Sequence, residues 1–201
     1  MMRVLVACEY SGTVRDAFIN TGHDAMSCDI LPTDQPGPHY QGDVREMLHE
    51  RWDLIIAHPP CTYLCNSGVC HLHKDPTRWA KLEGAAKFFK LFLDIDGPRV
   101  AIENPIMHKY AKELIGGVNQ NQVVQPWMFG HPETKATCLW LKGLPNLQPT
   151  NNVKEELTSM HKRDIQRLYY SPPGPERAKI RSKTFQGLAD AMTNQWGCLD
   201  D

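Results

Sequence analysis

The sequence lacks any apolar run that approaches the length of a membrane helix, which takes about 20 residues, and it lacks a large charge excess of either sign. Its formal net charge of −1 argues against strong non-specific attraction to nucleic acid, although a local basic patch stays open. A disulfide framework is absent too, because the seven cysteines are odd in number and irregularly spaced. These absences predict a cytoplasmic protein with no membrane segment.

No internal repeat and no low-complexity segment divides the chain. The hydrophobic content of 41% and charged content of 22% are near the averages of globular proteins. A length of 201 residues suits one domain with a sizeable core. We therefore predict a single domain over residues 1–201, with an irregular, proline-rich segment near 143–175.

Short apolar runs alternate with amphipathic stretches along the chain. The predicted strands are Arg3–Cys8, Asp24–Asp29, Asp53–Ala57 and Val100–Ile102, with two more within Gln122–Leu141. The predicted helices run through Val14–Ile19, Val44–Glu50, Arg78–Phe92, Met107–Leu114 and Thr184–Trp196. Such alternation is typical of an α/β protein with a doubly wound, mostly parallel sheet.

Two of the predicted strands end in residues that carry chemistry. The first is followed by His58-Pro-Pro-Cys61, and the second by Glu103-Asn-Pro105. Parallel sheets bind ligands at the carboxyl ends of their strands, so a thiol nucleophile and a carboxyl group are predicted to face one substrate. The simpler interpretations are a buried, inert Cys61 and a helix start at Asn104-Pro105.

The motifs His58-Pro-Pro-Cys61 and Ile102-Glu-Asn-Pro105 resemble the catalytic Pro-Pro-Cys and Glu-Asn-Val motifs of cytosine-C5 DNA methyltransferases. The chain is similar in particular to the short methyltransferase-like proteins of bacteriophages and prophages, over most of residues 3–105 and the last helix. The resemblance implies a Rossmann-like methyltransferase fold, S-adenosylmethionine (SAM) as cofactor, and the cytoplasm of a bacterial or phage-infected host cell.

The resemblance also implies a mechanism for methylation of cytosine in DNA or in a cytidine nucleotide. Cys61 would add to C6, and Glu103 would contact N3 and the exocyclic amine, so that C5 takes the methyl group of SAM. The implied catalytic residues are Cys61, Glu103, Asn104 and Pro60. The implied cofactor residues are Glu9, Tyr10, Ser11, Gly12, Asp29, Ile30, Asp43 and Pro59. The implied substrate residues are His58, Tyr63, Asn66, Ser67 and Lys135.

The sequence departs from the family in four ways. In place of an arginine-rich strand that supports the catalytic loop stands Thr134–Trp140, with Lys135 as the only obvious cation. Of the glycine loop only Gly12 clearly remains, and Tyr10 stands where backbone usually approaches the ligand. His58 replaces a glycine, and its ring is expected to point to solvent or to lie beside the thiol. No separate target-recognition domain is visible after Trp140. Duplex DNA, single-stranded DNA and a free nucleotide therefore all stay open as substrates, as does a protein partner that supplies target recognition.

Two other groups of residues, a Cys- and His-rich loop and a basic segment with aromatic residues, allow a functional and a structural interpretation. Thiols and imidazoles crowd the loop after Cys61, and they are zinc ligands, but their spacing does not match Cys-x-x-Cys pairs, and we predict no metal. These residues are Cys61, Cys65, Cys70, His71 and His73, with His58 nearby. Cations interleaved with Tyr169, Tyr170 and Phe185 suit either single-stranded nucleic acid or a solvated face.

Two alternative functions also remain. One is a catalytically idle protein of methyltransferase fold that binds a nucleotide, nucleic acid or protein, for example as a phage countermeasure; the altered glycine loop favours it. The other is an enzyme that modifies C5 of a pyrimidine nucleotide by the same cysteine addition, with another one-carbon donor; the missing recognition domain favours that version.

Overall fold

A seven-stranded sheet lies at the centre of the computed structural model, which describes residues 1–199. The strands are β1 (Arg3–Ala7), β2 (Asp24–Asp29), β3 (His39–Gln41), β4 (Leu54–Ala57), β5 (Arg99–Pro105), β6 (Gln122–Val124) and β7 (Thr137–Lys142). Their spatial order is β3-β2-β1-β4-β5-β7-β6, with β1 to β5 parallel and β7 antiparallel to both of its neighbours. This confirms the predicted α/β class with a mostly parallel sheet.

Helices cover both faces of the sheet. They are α1 (Thr13–Asn20), α2 (Val44–Met47), α3 (Thr77–Leu93), α4 (Lys109–Leu114), α5 (Lys162–Ile165), α6 (Pro175–Ser182) and α7 (Gln186–Trp196). Because side chains alternate along a strand, Leu5 and Ile55 pack on the α3 side, whereas Val4 and Ile56 pack on the side of α1 and α7. Within residues 1–199, no helix is both long and apolar enough to cross a membrane.

The five parallel strands all end at one edge of the sheet. Since β7 is antiparallel to both β5 and β6, β6 also ends at this edge and β7 starts there. The segment 125–136 therefore lies at the same edge of the sheet as the segments that follow β1, β2, β4 and β5. The topology thus gathers most of the predicted site residues at the edge where α/β proteins bind ligands.

A buried arginine, which the sequence reasoning did not single out, fixes the segment that follows β2. The guanidinium of Arg15 is fully buried and donates to the Ser27 and Thr33 hydroxyls and to the backbone carbonyls of Gln35 and Pro36 at 3.1–3.3 Å. Its Nε pairs with Asp16 at 2.8 Å. Arg15 therefore anchors one wall of the edge that carries the predicted cofactor residues.

The predicted elements differ from the structure in several places. Strand β3 and helices α5 and α6 were not predicted, β5 runs over Arg99–Pro105 rather than Val100–Ile102, and α2 ends at Met47 rather than Glu50. Strand β3 has only three residues and none of them is buried, so it shows no apolar run. Helix α6 is dominated by charge and lacks the apolar stripe by which a helix is recognised in sequence. The segment 143–175 is mostly irregular, as predicted.

The start of α7 fits tightly against the segment that follows β6. A Cβ added at Gly187 would lie 1.9 Å from the backbone oxygen of Phe129, whereas one added at Gly84 in α3 would meet nothing within 4 Å. We expect Gly187→Ala to lower the free energy of unfolding by about 1–3 kcal/mol through overpacking. The matched change Gly84→Ala is expected to raise it by up to about 1 kcal/mol through helix propensity. Urea denaturation of both variants checks this; shifts of the same sign contradict it.

Candidate active site

The loop after β4 presents Cys61 at the carboxyl edge of the sheet. The buried strand β4 ends at Ala57, and the His58 amide still donates to Ala7 of β1 at 2.9 Å. Pro59 and Pro60 then fix the backbone, and the Cys61 carbonyl accepts the amides of Leu64 and Cys65 at 3.0 Å. Cys61 is thus held in a rigid turn, and it is partly exposed.

A second thiol, Cys65, lies within hydrogen-bond distance of Cys61. The hydrogen bond from Cys61, helped against burial by Ser67 and by backbone amides, lowers the pKa of Cys65 to about 5. The same bond and burial raise the pKa of Cys61, while the charge of Lys135 opposes the rise. The first proton leaves this pair readily, and the resulting thiolate is favoured on Cys65. Sequence reasoning missed this role of Cys65, although the spacing of four residues in a turn was visible.

The register of β4 and β5 brings His58 against Glu103. Ala57 pairs with Ile102 in the parallel ladder, and the next residues meet: His58 Nδ1 lies 2.9 Å from Glu103 Oε2. Both side chains are only 11% exposed. The expectation of a solvent-facing His58 is wrong, because the register buries the ring against a carboxylate partner. An effect of His58 on the Cys61 thiol stays a prediction.

The carboxylate of Glu103 has a second cationic neighbour. Lys135, from the segment between β6 and β7, places Nζ 3.9 Å from Glu103 Oε1 and donates to the backbone oxygen of Lys183 at 3.3 Å. The structure thus brings Lys135, which the sequence predicted at the substrate, directly to Glu103.

These contacts set the protonation of the pair. Burial opposes ionisation of Glu103, but Lys135 and His58 outweigh it and hold its pKa at about 2. Burial also disfavours the charged form of His58, yet the hydrogen bond and charge of Glu103, with a contribution from Glu9, raise its pKa. The free protein therefore favours Glu103 as a carboxylate and the protonated form of His58 beside it.

Asn104 joins the two strand ends. Its side chain is 1% exposed, and Nδ2 donates to the backbone oxygen of Pro59 at 3.3 Å. This bond ties the end of β5 to the turn that carries Cys61. Two polar atoms beside Glu103, Asn104 Oδ1 and His58 Nε2, are buried with no hydrogen-bond partner. Such atoms are costly unless a ligand or water satisfies them.

The predicted cofactor segment after β1 is largely engaged with the protein itself. The carboxylate of Glu9 accepts the amide of Val14 at 2.8 Å and the hydroxyl of Ser11 at 2.9 Å, so it occupies the start of α1. The hydroxyl of Tyr10 contacts Lys179 and Ser182 of α6 at 2.7 and 3.0 Å. Gly12 has a φ of 76°, a conformation that favours glycine.

The other predicted cofactor residues lie together after β2 and β3. Asp29 Oδ1 accepts the amide of Leu31 at 2.9 Å, and burial raises the pKa of Asp29. Ile30 beside it is 76% exposed. The Gly42 amide donates to the Asp29 carbonyl at 3.0 Å, which places Asp43 nearby. Asp43 caps α2, and its hydrogen bonds from the backbone and side chain of Arg45 lower its pKa.

The polar and aromatic residues of the loop after Cys61 differ from one another in exposure and in their contacts. Asn66 and Ser67 are exposed, and Ser67 Oγ lies 3.0 Å from Cys65 Sγ. The ring of Tyr63 packs under the guanidinium of Arg78, 4.9 Å from its centroid. His73 packs edge-on against aromatic rings of Trp79 and Tyr110. In the part of the chain that the structure describes, no three His, Cys, Asp or Glu residues are grouped to hold a metal ion, so the zinc alternative gains no support.

The C-terminal cations are partly paired. Lys179 and Lys183 bind Asp34 at 3.0 and 2.7 Å, and Arg167 binds Glu133 at 2.9 Å. Tyr169 and Tyr170 are 66% and 41% exposed. Behind Lys135 lies a cavity of about 380 Å³ that sequence reasoning did not find, lined by His131, Glu133, Arg167, Leu168, Ile180, Lys183, Thr184, Phe185 and Gln186.

Comparison with known proteins places the chain near two solved structures. It is similar to a prophage-encoded E. coli protein named as a DNA modification methyltransferase, with a TM-score of 0.44 and 18% identity over 70% of this chain and 46% of that one. It is also similar to the Entamoeba histolytica methyltransferase EhMeth, with a TM-score of 0.45 and 15% identity over 76% of this chain and 57% of the other. The chain thus spans about half the length of both proteins. No family model and no curated protein sequence matches it.

Proposed function

We propose that this chain is a SAM-dependent methyltransferase that acts on C5 of cytosine, in DNA or in a cytidine nucleotide. The observation that carries the proposal is the pairing of β4 with β5, which sets the turn of Cys61 beside Glu103. A thiol, a carboxylate and the lysine that acts on both then share one edge of the sheet. This is the constellation that addition to C6 and recognition of the N3 edge require.

The chain's own residues would act one after another during the reaction. The proton of Cys61 passes to the neighbouring Cys65 thiolate as the electron pair of Cys61 Sγ forms a bond to C6, so that no free Cys61 thiolate has to form first. Glu103 accepts a hydrogen bond from the exocyclic amine, while Asn104 and Pro60 hold the two strand ends in place. N3 receives a proton, and C5 becomes nucleophilic. After C5 is methylated, loss of its proton re-forms the double bond and expels the thiolate.

The residues after β2 and β3 fit the adenosine part of SAM, which supplies the methyl group when bound. The exposed side chain of Ile30 offers an apolar surface for a base beside Asp29, whose Oδ2 would accept a ribose hydroxyl. Asp43 stands nearby, and Ser11, Gly12 and Pro59 face the same edge between β1 and β4. We expect Asp29→Ala to weaken SAM binding at least tenfold in calorimetry; unchanged affinity would place the cofactor elsewhere.

Methyl transfer from radiolabelled SAM tests the proposal. The acceptors are duplex DNA, single-stranded DNA, RNA and free cytidine nucleotides, with Cys61→Ala as the control. Label on one acceptor that disappears in the variant supports the proposal and identifies the substrate class. No label on any acceptor, with the protein shown to be folded by circular dichroism, overturns it.

One observation favours a second candidate, a nucleotide-binding or nucleic-acid-binding protein without catalysis. Glu9 and Tyr10, in the segment expected to stand for the family's glycine loop, are engaged with α1 and α6. Binding of a cytidine nucleotide or single-stranded DNA without methyl transfer is the result expected of this candidate. It leaves the basic and aromatic residues near Tyr169 and Tyr170 as contacts for a nucleic-acid partner.

A further inference from the structure

We infer that His58 is a positioning residue that stores the proton delivered to N3 of the base, and that it does so through Glu103. The inference rests on the proposed function, because it concerns the same substrate edge. It starts from a conflict: cytosine must gain a proton at N3 as Cys61 adds, yet the group that contacts N3, Glu103, is a carboxylate in the free protein.

The contacts around Glu103 show where the proton is held. Of its two cationic neighbours, Lys135 lies 3.9 Å from Oε1 and His58 lies 2.9 Å from Oε2. Only the imidazole makes a hydrogen bond short enough for direct transfer, and its ordinary pKa is much closer to neutrality than that of an ammonium group. His58 is therefore the proton source that Glu103 can reach.

The transfer balances as follows. The Nδ1 proton of His58 moves to Glu103, which leaves both groups neutral, and Glu103 passes the proton to N3 as the Cys61 Sγ–C6 bond forms. Glu103 is then a carboxylate again beside a neutral imidazole. When C5 loses its proton and the thiolate leaves, the N3 proton returns by way of Glu103 to His58. No other reactant is consumed in this exchange.

The burial of His58 and Glu103 suits the storage of a proton. The His58 and Glu103 side chains are each only 11% exposed, so solvent competes little for the proton. The groups that act on His58 are Glu103 from β5, Glu9 from the segment after β1 and Asp29 at the end of β2, which favour its charged form, and Lys135 from the segment before β7, which opposes it. His58 Nε2 is buried with no hydrogen-bond partner, so it is free to bond a polar atom of the bound substrate or cofactor.

The pH dependence of covalent trapping tests the inference. The probe is 5-fluorocytosine, placed in whichever acceptor takes up methyl label, with SAM present. In the wild-type protein, the trapping rate is expected to fall about tenfold per pH unit above the pKa of His58. His58→Asn keeps an N–H near the position of Nδ1 but cannot store a proton. We expect it to react about 100-fold more slowly near neutral pH and to lack the alkaline fall.

His23→Asn is the control, since His23 is a partly buried histidine just before β2, at the opposite edge of the sheet, where its ring accepts the Met2 amide at 3.3 Å; its profile should match the wild type. A His58→Asn profile that keeps the wild-type alkaline fall overturns the role of His58 alone. Absence of label and trapping at every pH overturns the proposed function and this inference together. An NMR titration gives a readout besides activity: Glu103→Gln should lower the pKa of His58, and an unchanged value overturns the pairing.

Discussion

Cys61→Ala is expected to abolish the covalent adduct with 5-fluorocytosine, whereas Cys65→Ala is expected to slow adduct formation by about 100-fold without abolishing it. The physical reason is the division of labour within the hydrogen-bonded thiol pair. Cys61 is the partly exposed member at the strand end, and Cys65, whose lowered pKa keeps it ionised, accepts the Cys61 proton as the Sγ–C6 bond forms.

The two variants also differ in pH dependence. With Cys65 present, its lowered pKa lets the pair lose a first proton at a lower pH than an isolated thiol would, so the acid limb of the rate should lie below the ordinary thiol value. In Cys65→Ala, Cys61 must ionise alone from a partly buried position, and the acid limb should move toward or above the ordinary thiol value of 9.0. Mass spectrometry of the trapped protein over a pH series measures both effects.

The exposed Cys70 of the same loop provides the control, and Cys70→Ala should behave like the wild type. Trapping that persists in Cys61→Ala and disappears in Cys65→Ala would exchange the roles of the two thiols. Trapping that is unaffected by either change would remove cysteine addition from the mechanism altogether.

Arg15→Met is expected to lower the free energy of unfolding by about 3 kcal/mol or more. The methionine fills much of the volume, but it leaves the Ser27 hydroxyl of β2, and one hydroxyl and two carbonyls after β2, without their buried donor. That loss is a large share of the 5–15 kcal/mol that stabilises a typical domain. Urea denaturation followed by circular dichroism measures it.

Arg45→Met is a suitable comparison, because Arg45 also pairs with an aspartate but its side chain is 63% exposed. Surface pairs of this kind contribute about 0–1 kcal/mol. Equal effects of the two substitutions would mean that the bonds of Arg15 add little to stability. Arg15→Lys should recover part of the loss, since an ammonium group reaches fewer of the same acceptors.

The parts of the fold that were predictable are those fixed by local pattern. The continuous apolar runs of β1 and β4 and the amphipathic face of α3 are visible without any long-range information. The convergence of Cys61 and Glu103 was predictable as well, because parallel strands end at a common edge. The roles of Asp29 and Asp43 at the cofactor, in contrast, were implied by the family resemblance and not by the strand pattern.

The parts that were not predictable depend on register or on distant segments. His58 meets Glu103 because of the pairing of Ala57 with Ile102, and no pattern within either motif sets that register. Helix α6 has no buried face of its own and is located by contacts with Tyr10 and Asp34, about 150 residues away in sequence. The partnership of Cys61 with Cys65 required the turn geometry that the two prolines begin.

The packing of α1 against α7 has a consequence for how the chain folds during synthesis. Thr21 and Thr193 share a hydrogen bond of 2.7 Å across a separation of 172 residues, and Phe18 is covered together with Trp196. At roughly 5–20 residues per second, translation needs on the order of 10–30 s to produce that cover. Throughout this interval, β1 and α1 emerge with an apolar face that nothing yet shields, so the nascent chain is a client for chaperones until its last helix arrives.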